Sequence, residues 1–169
     1  MEEKKYKLTD EAIEFDGHIL HRIQALKDFG NVKKGDIGGW IEKEDNLSQE
    51  GNCWIYPAKN EFELDSRVYE EAKIYGNSII DRGGSEIRGN AKIYDEAKVS
   101  EYNFIVGNAH VYGKATINNR CWIDGNCQIY GNAIVQNDAV ITENPQIFEN
   151  ATVGDRAHID GEAKIKGFF

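Results

Sequence analysis

The feature that most constrains the fold of this chain is a hydrophobic repeat of six residues. From residue 87 to residue 165 an aliphatic side chain recurs at every sixth position, fourteen times in succession. A small residue, most often alanine, stands two positions before twelve of them. An α-helix repeats its apolar face every 3.6 residues, whereas short strands joined by sharp corners fit a repeat of six. The fourteen positions are Ile87, Ile93, Val99, Ile105, Val111, Ile117, Ile123, Ile129, Val135, Ile141, Ile147, Val153, Ile159 and Ile165.

The repeat predicts an all-β fold, a single-stranded left-handed parallel β-helix of hexapeptide repeats. The phrase "GNAKIY" at residues 89–94 returns as "GNAHVY", "GNCQIY" and "GNAIVQ", and its Gly-Asn start suits a corner with positive φ. Three phrases form one coil, which gives about six coils over residues 51–169. The inward positions continue upstream, with single-residue insertions near residues 57–61 and 82–84, through Ile55, Phe62, Val68, Ile74 and Ile80.

The position two residues before each aliphatic residue explains the cysteines. Cys53, Cys121 and Cys127 all stand where most phrases have alanine, so we predict that they are buried, reduced thiols. Asn103 and Pro145 are the two exceptions to the small-residue pattern. The sequence has no Cys-X-X-Cys pair of the kind used for zinc or redox chemistry.

Residues 1–50 lack the repeat and are interpreted as a separate N-terminal section. Two apolar runs flank Asp16 and Gly17, which is a strong signal for a two-residue β-hairpin. The open end of a solenoid needs a cover, so we predict that residues 1–50 form a β-hairpin and turn-rich cap on the domain 51–169. A separate binding module is the alternative. The glycines of "GDIGGW" lack the Lys-Ser/Thr ending of a phosphate-binding loop and are attributed to turns.

Two longer stretches carry a family resemblance. "GNAKIYDEAKV", preceded by "LKDFGNVKKGDIGGWIEKEDNLSQEGNCWIY", resembles the YdcK-like family of hexapeptide-repeat proteins, which has bacterial and phage or prophage members. The likeness covers nearly the whole chain, and "GDIGGWI" and "LSQEGNCWIY" make it more specific. The resemblance implies a left-handed β-helix in the fold superfamily of the trimeric hexapeptide acyltransferases. It implies no established reaction and therefore supplies no catalytic residues.

Charge and hydropathy restrict the partners. The chain carries 29 acidic and 20 basic side chains, a formal charge of −9, which argues against direct binding of nucleic acid. Its first residues lack the apolar run of a secretory signal, and no stretch approaches the roughly 18 apolar residues of a membrane span. We therefore expect a cytoplasmic protein with no membrane partner.

Histidine is the residue on which an enzymatic function would depend. His18 and His21 fall in the cap, and His110 and His158 are 48 residues apart, which is not a multiple of the 18-residue coil. They are therefore expected on different faces, so no three-histidine metal site is predicted and no cofactor is expected. His110 is a weak candidate for the general base of an acyl transfer. The alternative interpretation of His110 is an ordinary surface residue.

Outward-facing residues that are one 18-residue coil apart are expected to lie above one another and form columns. One column is aromatic and is predicted to stack on one flat face, as a contact face for a second subunit, another protein or a glycan. Self-stabilisation by stacking is the alternative, and the two do not exclude each other. The column contains Tyr56, Tyr75, Tyr94, Tyr112, Tyr130 and Phe148. Phe104 and Trp122 form a smaller contact face, and Asn90, Asn108, Asn126 and Asn144 form a corner ladder.

Three functions remain open from the sequence. The preferred one is a non-catalytic binding or scaffold protein, and we expect a homo-oligomer or a complex with another protein. The second is an acyltransferase-like enzyme, supported only by analogy within the superfamily. The third is a phage-type inhibitor that offers an acidic surface to a nucleic-acid-binding or defence protein of the host.

Overall fold

A computed structural model describes residues 3–57, 61–62 and 66–167. It confirms the predicted fold class, an all-β solenoid of parallel sheets, about six turns long, with a small antiparallel sheet at its N-terminus. The left-handed sense of the coil stays a prediction of the repeat. The strands are β1 (Tyr6–Phe15), β2 (His18–Ala25), β3 (Ile37–Ile41), β4 (Trp54–Ile55), β5 (Glu61–Phe62), β6 (Arg67–Val68), β7 (Lys73–Ile74), β8 (Ile79–Asp81), β9 (Glu86–Ile87), β10 (Lys92–Ile93), β11 (Lys98–Ser100), β12 (Phe104–Ile105), β13 (His110–Val111), β14 (Thr116–Asn118), β15 (Trp122–Ile123), β16 (Gln128–Ile129), β17 (Ile134–Gln136), β18 (Val140–Ile141), β19 (Gln146–Phe148), β20 (Thr152–Val153), β21 (His158–Ile159) and β22 (Lys164–Lys166).

Every third strand of the solenoid belongs to the same parallel sheet. The first sheet has the order β22-β19-β16-β13-β10-β7-β4, the second β20-β17-β14-β11-β8-β5 and the third β21-β18-β15-β12-β9-β6. Partners such as Ile93 and Val111 are one 18-residue coil apart. Ile74 and Ile93 are 19 residues apart, as are Ile55 and Ile74, which confirms the two predicted single-residue insertions.

The aliphatic repeat fills the interior of the solenoid. The fourteen listed side chains are buried except Ile159 and Ile165, which are half-buried because no described residue packs over the last coil. Cys53, Cys121 and Cys127 are free and fully buried, as predicted. The backbone of Phe62 pairs with that of Ile80, but the Phe62 side chain lies outside what the structure describes.

Asn103, an exception in the small position, is a fully buried polar side chain with its hydrogen bonds satisfied. Its Oδ1 accepts the backbone N–H of Cys121 at 2.9 Å, and its Nδ2 donates to the carbonyl oxygen of Ser100 at 2.6 Å. Its own backbone N–H donates to Ser85 Oγ at 3.0 Å. Asn103 therefore links three successive coils, and an alanine could not make the two bonds of its side chain, to Cys121 and Ser100.

The N-terminal section packs on the first coil. Phe15 pairs with His18 across the Asp16-Gly17 turn, whose two residues both have positive φ, so the predicted hairpin is confirmed. Tyr6, Ile23 and Ile41 belong to the same buried cluster as the solenoid interior. Parallel pairing begins at Leu47, which bridges to Val68.

The attribution of the "GDIGGW" glycines to turns is wrong for Gly38 and Gly39. Both are buried within β3, where a Cβ on Gly38 would lie 2.6 Å from Trp54 Cζ2 and a Cβ on Gly39 would lie 2.5 Å from Ile55 Cγ2. They are glycines because the backbone of β3 lies directly against the first coil. Among the described residues the one helical element is a 3₁₀ turn, Glu44–Asn46, and no helix there is long and apolar enough to cross a membrane.

Candidate functional site

The first sheet presents two outward columns of side chains on either side of its buried aliphatic row. The aromatic ladder forms one column and consists of Tyr56, Tyr75, Tyr94, Tyr112, Tyr130 and Phe148. The other column contains Lys73, Lys92, His110, Gln128, Gln146 and Lys164, which are paired coil to coil in register. Alternation along each short strand sends both columns to the same side of the sheet.

The ladder is a stack of parallel rings. Tyr75, Tyr94, Tyr112 and Tyr130 follow one another with centroid distances of 4.9 to 5.0 Å and interplanar angles of 2 to 7°. Phe148 continues the stack 5.3 Å beyond Tyr130. Tyr56 differs, because its ring meets that of Tyr75 edge-on at 86°. The predicted self-stacking is therefore present from Tyr75 to Phe148.

Stacking determines what the ladder can offer to another molecule. The faces of the inner rings are covered by their neighbours, so the tyrosines are only partly exposed. Ring edges and hydroxyl groups remain to face outward. Tyr112 donates its hydroxyl hydrogen to Gln128 Oε1 at 3.3 Å, across to the other column of the next coil. The surface is therefore an amphipathic strip of aromatic edges and hydroxyls.

Four of the ladder tyrosines have a raised pKa. Burial, and then the neighbouring Tyr112 and Tyr75, raise the pKa of Tyr94 from 10.0 to about 12. Burial is also the main cause that raises the pKa of Tyr56, Tyr75 and Tyr112. These hydroxyls therefore remain hydrogen-bond donors near neutral pH.

His110 lies on the ladder face. Its Nδ1 is 3.5 Å from the Tyr94 hydroxyl, and the two rings meet edge-on at 82°. Burial, and then the positive charge of Lys92, lower the pKa of His110, which favours the neutral imidazole. His158 lies in β21 of the third sheet, which confirms that these two histidines occupy different faces.

Lys73 and Lys92 stand opposite each other on adjacent coils, and His110 follows on the next. No ion pair between described residues includes Lys73 or Lys92. Both line a groove of about 540 Å³ at the cap end of the ladder, together with Asn31, Tyr56, Pro57, Tyr75 and Gly76. The sequence does contain the signal for this cluster, because the three basic residues fall in one column at the coil period.

The corners carry further ladders. Asn90, Asn108, Asn126 and Asn144 are joined side chain to side chain by amide hydrogen bonds of 2.8 to 3.0 Å, as the coil period predicts. Sequence reasoning missed two similar ladders. Asn132 donates to Asn150 at 3.1 Å, and Asn119 donates to Asn137 at 2.9 Å, while Asn137 in turn donates to Asp155 at 3.3 Å.

The smaller aromatic pair lies on the third sheet. Phe104 and Trp122 stack with centroids 5.5 Å apart and an interplanar angle of 26°. Trp122 is 41% exposed, and the next coil continues the apolar column with Val140. The pair is separate from the ladder because it occupies a different side of the solenoid. Its role as a contact face stays a prediction.

A buried Lys5–Cys53 pair is a second polar cluster that sequence reasoning missed. Lys5 Nζ lies 3.2 Å from Cys53 Sγ and donates to the carbonyl oxygens of Cys53 at 3.0 Å and Glu50 at 3.2 Å. Burial lowers the pKa of Lys5 and raises the pKa of the Cys53 thiol. These bonds anchor the start of β1 to the first coil, which accounts for the cluster structurally.

Within the described ranges, no three His, Cys, Asp or Glu side chains are grouped so that they could hold a metal ion.

The fold and its surfaces define the class of protein: a three-sided hexapeptide β-solenoid that displays regular side-chain ladders. A family model described as "YdcK Beta solenoid repeat" matches residues 128–143. A relative from Escherichia coli (strain K12), named "Uncharacterized acetyltransferase YdcK", is 33% identical over an alignment of 106 residues that covers 58% of this chain and 28% of that protein. These similarities confirm the resemblance of this β-solenoid to the YdcK-like hexapeptide-repeat proteins. The chain matches little more than a quarter of that relative's length.

Proposed function

We propose that this protein is a non-catalytic binding or scaffold protein whose aromatic ladder is the contact surface for another molecule. The observation that carries the proposal is the parallel stack from Tyr75 to Phe148, which runs over five successive coils on one side of the solenoid. The simplest partner is a second copy of the chain with its solenoid alongside. Another protein or a glycan is the alternative partner.

The stack supports binding because its geometry is already fixed in the free protein. Ordering a side chain on binding costs about 0.5–1.5 kcal/mol, and rings held between neighbours have lost most of that freedom on folding. Because the ring faces are covered, the partner meets ring edges and the hydroxyl row. Tyrosine suits this role, since its ring is apolar and its hydroxyl remains solvated when no partner is bound.

The experiment separates contact from self-stabilisation with two double variants. Tyr112→Phe with Tyr130→Phe keeps the stack and removes two hydroxyls, whereas Tyr112→Ser with Tyr130→Ser removes both stack and hydroxyls. We expect the first to unfold at nearly the wild-type temperature but to associate more weakly in light scattering. The second should lose stability as well as association. Thr116→Ser with Ile134→Ser, at outward positions of the second sheet, is the control on another face.

The opposite pattern counts against the proposal. If the serine pair lowers the melting temperature while the mass from light scattering and the capture of partner proteins match wild type, the ladder only stabilises the fold. Equal loss of association in the Thr116 and Ile134 control would show that the contact does not depend on the ladder.

An acyltransferase is the second candidate function, because the Escherichia coli relative carries the name of an acetyltransferase. The lowered pKa of His110 favours the neutral imidazole, which is the form that can accept a proton, but it also makes the imidazole a weaker base. The test is acetyl-CoA consumption with amino-sugar acceptors. Turnover that disappears in His110→Ala, while the Gln128→Ala control retains it, would favour the enzyme over the scaffold.

A further inference from the structure

The cap end of the ladder carries an uncompensated positive cluster in an acidic protein. Lys73 and Lys92 are partners in the parallel register between β7 and β10, and both flank buried isoleucines, so their side chains leave the same surface side by side. Neighbouring strands are about 4.8 Å apart, and like charges directly opposite each other destabilise a sheet. The chain has 29 acidic side chains, yet none forms an ion pair with either lysine among the described residues.

The surroundings of the two lysines are donors and apolar surface. The groove of about 540 Å³ that contains them is also lined by the side chains of Asn31, Tyr56 and Tyr75. Two carboxylates act electrostatically on the groove tyrosines, Asp36 on Tyr56 and Asp95 on Tyr75. Each already accepts a backbone N–H elsewhere, Asp36 Oδ2 from Lys33 at 2.8 Å and Asp95 Oδ2 from Gly113 at 3.1 Å. The groove therefore combines two ammonium groups, hydroxyl donors and an amide beside aromatic surface.

We propose that Lys73 and Lys92 form a binding site for an oxyanion, a phosphate or a carboxylate, of a ligand that occupies this groove. One oxyanion between the two ammonium groups accepts a charge-assisted hydrogen bond from each and removes their mutual repulsion. The rest of the ligand lies against Tyr56 and Tyr75. This inference rests on the proposed function, because the groove is the cap end of the same contact face.

The ligand group is tested with inorganic phosphate and glucuronate, each titrated into the full chain at constant ionic strength. Amide NMR signals of groove residues such as Gly76 report binding. We expect a saturable shift with at least one of the two anions, and the arm that saturates identifies phosphate or carboxylate. Lys73→Gln and Lys92→Gln should each weaken binding about tenfold, the equivalent of one lost charge-assisted contact. Lys164→Gln, in the same column at the far end, is the matched control.

His110 supplies a second readout. The charge of Lys92 contributes to lowering the pKa of His110, so an anion held at Lys92 should raise that pKa in an NMR titration of the imidazole. Lys92→Gln should raise it without any anion, and Lys164→Gln should leave it unchanged. His110→Asn identifies the signal among the 4 histidines.

The results that overturn the inference are specific. If neither anion gives a saturable shift, the lysines hold no oxyanion. The same conclusion follows if the shifts are equal in the wild type and in both groove variants. The two proposals fail separately, because these variants leave Tyr112 and Tyr130 intact. If the anion binds but the tyrosine variants associate like the wild type, only the proposed function is refuted. If the tyrosine variants lose association but no anion binds, only the oxyanion site is refuted.

Discussion

Two glycines at equivalent corners allow a direct test of how tightly the coils stack. Gly125 and Gly161 have φ values of 81° and 65°, so alanine is strained at both positions. They differ in what lies beneath the missing Cβ. At Gly125 a Cβ would lie 2.3 Å from the carbonyl oxygen of Glu143 in the next coil, whereas at Gly161 the nearest atom is Glu143 Oε2 at 3.9 Å.

The expected losses of stability follow from the backbone strain and from the clash of the added Cβ. A left-handed conformation costs an alanine about 1–2 kcal/mol, and this term is common to both variants. Relieving the clash at Gly125 requires displacement of backbone in the next coil, at a further cost of about 1–3 kcal/mol, the range for overpacked interiors. The loss of chain entropy in the unfolded state is also common and cancels in the difference. We expect Gly125→Ala to lose about 2–5 kcal/mol and Gly161→Ala about 1–2 kcal/mol.

The assay is urea unfolding followed by circular dichroism and by tryptophan fluorescence, with amide hydrogen exchange to detect local opening. Solenoid coils contact only their neighbours, so an end coil can open alone, and exchange separates that event from global unfolding. If Gly161→Ala lowers stability as much as Gly125→Ala, the corner requires glycine for its φ alone and the close stacking of coils is refuted.

Three further predictions concern the core and the ladder. Ile123→Lys should prevent folding, because an unpaired buried charge costs several kcal/mol, and a soluble variant with an unchanged melting temperature would contradict the assigned register. Asn103→Ala should cost about 1–3 kcal/mol in urea unfolding, because it leaves the buried N–H of Cys121 without its acceptor, while Asn108→Ala at the exposed ladder should cost less. Tyr94 should ionise near pH 12 in an absorbance titration. Because this pKa is raised in the folded state, its stabilising contribution is present below pH 10 and is lost as pH rises from 10 toward 12, a loss that Tyr94→Phe should remove.

The parts of the fold that could be predicted are those governed by the coil period. The inward row, the corner at Gly107 and the tyrosine stack all follow from spacings of 6 and 18 residues. The contacts between the two columns could not be predicted from these spacings. Tyr94 reaches His110 and Tyr112 reaches Gln128, each 16 residues along the chain, because the ring leans across to the neighbouring column of the next coil.

The N-terminal section could be predicted only as a hairpin, because its contacts with the first coil are not periodic. Nothing in the spacing of Gly38 indicates that a strand lies against Trp54, and "GG" is equally compatible with a turn. Lys5 likewise looks like a surface lysine in a charged N-terminal segment. It is buried because three backbone carbonyls of residues 50–53 and the Cys53 thiol converge on its ammonium group, which only the packed structure reveals.

The two outward columns divide the properties of the ladder face between them. The aromatic column is nearly uniform, and its rings cover one another, so it stiffens the surface and presents the same edges and hydroxyls at each coil. The other column changes along the solenoid, from Lys73 and Lys92 at the N-terminal end through His110, Gln128 and Gln146 to a single lysine, Lys164, at the far end. Under the proposed function, a partner lying along this face therefore meets two adjacent positive charges at one end, neutral amides in the middle and one positive charge at the other end. The ladder would supply the contact area, and the changing column would determine the direction in which an acidic partner lies.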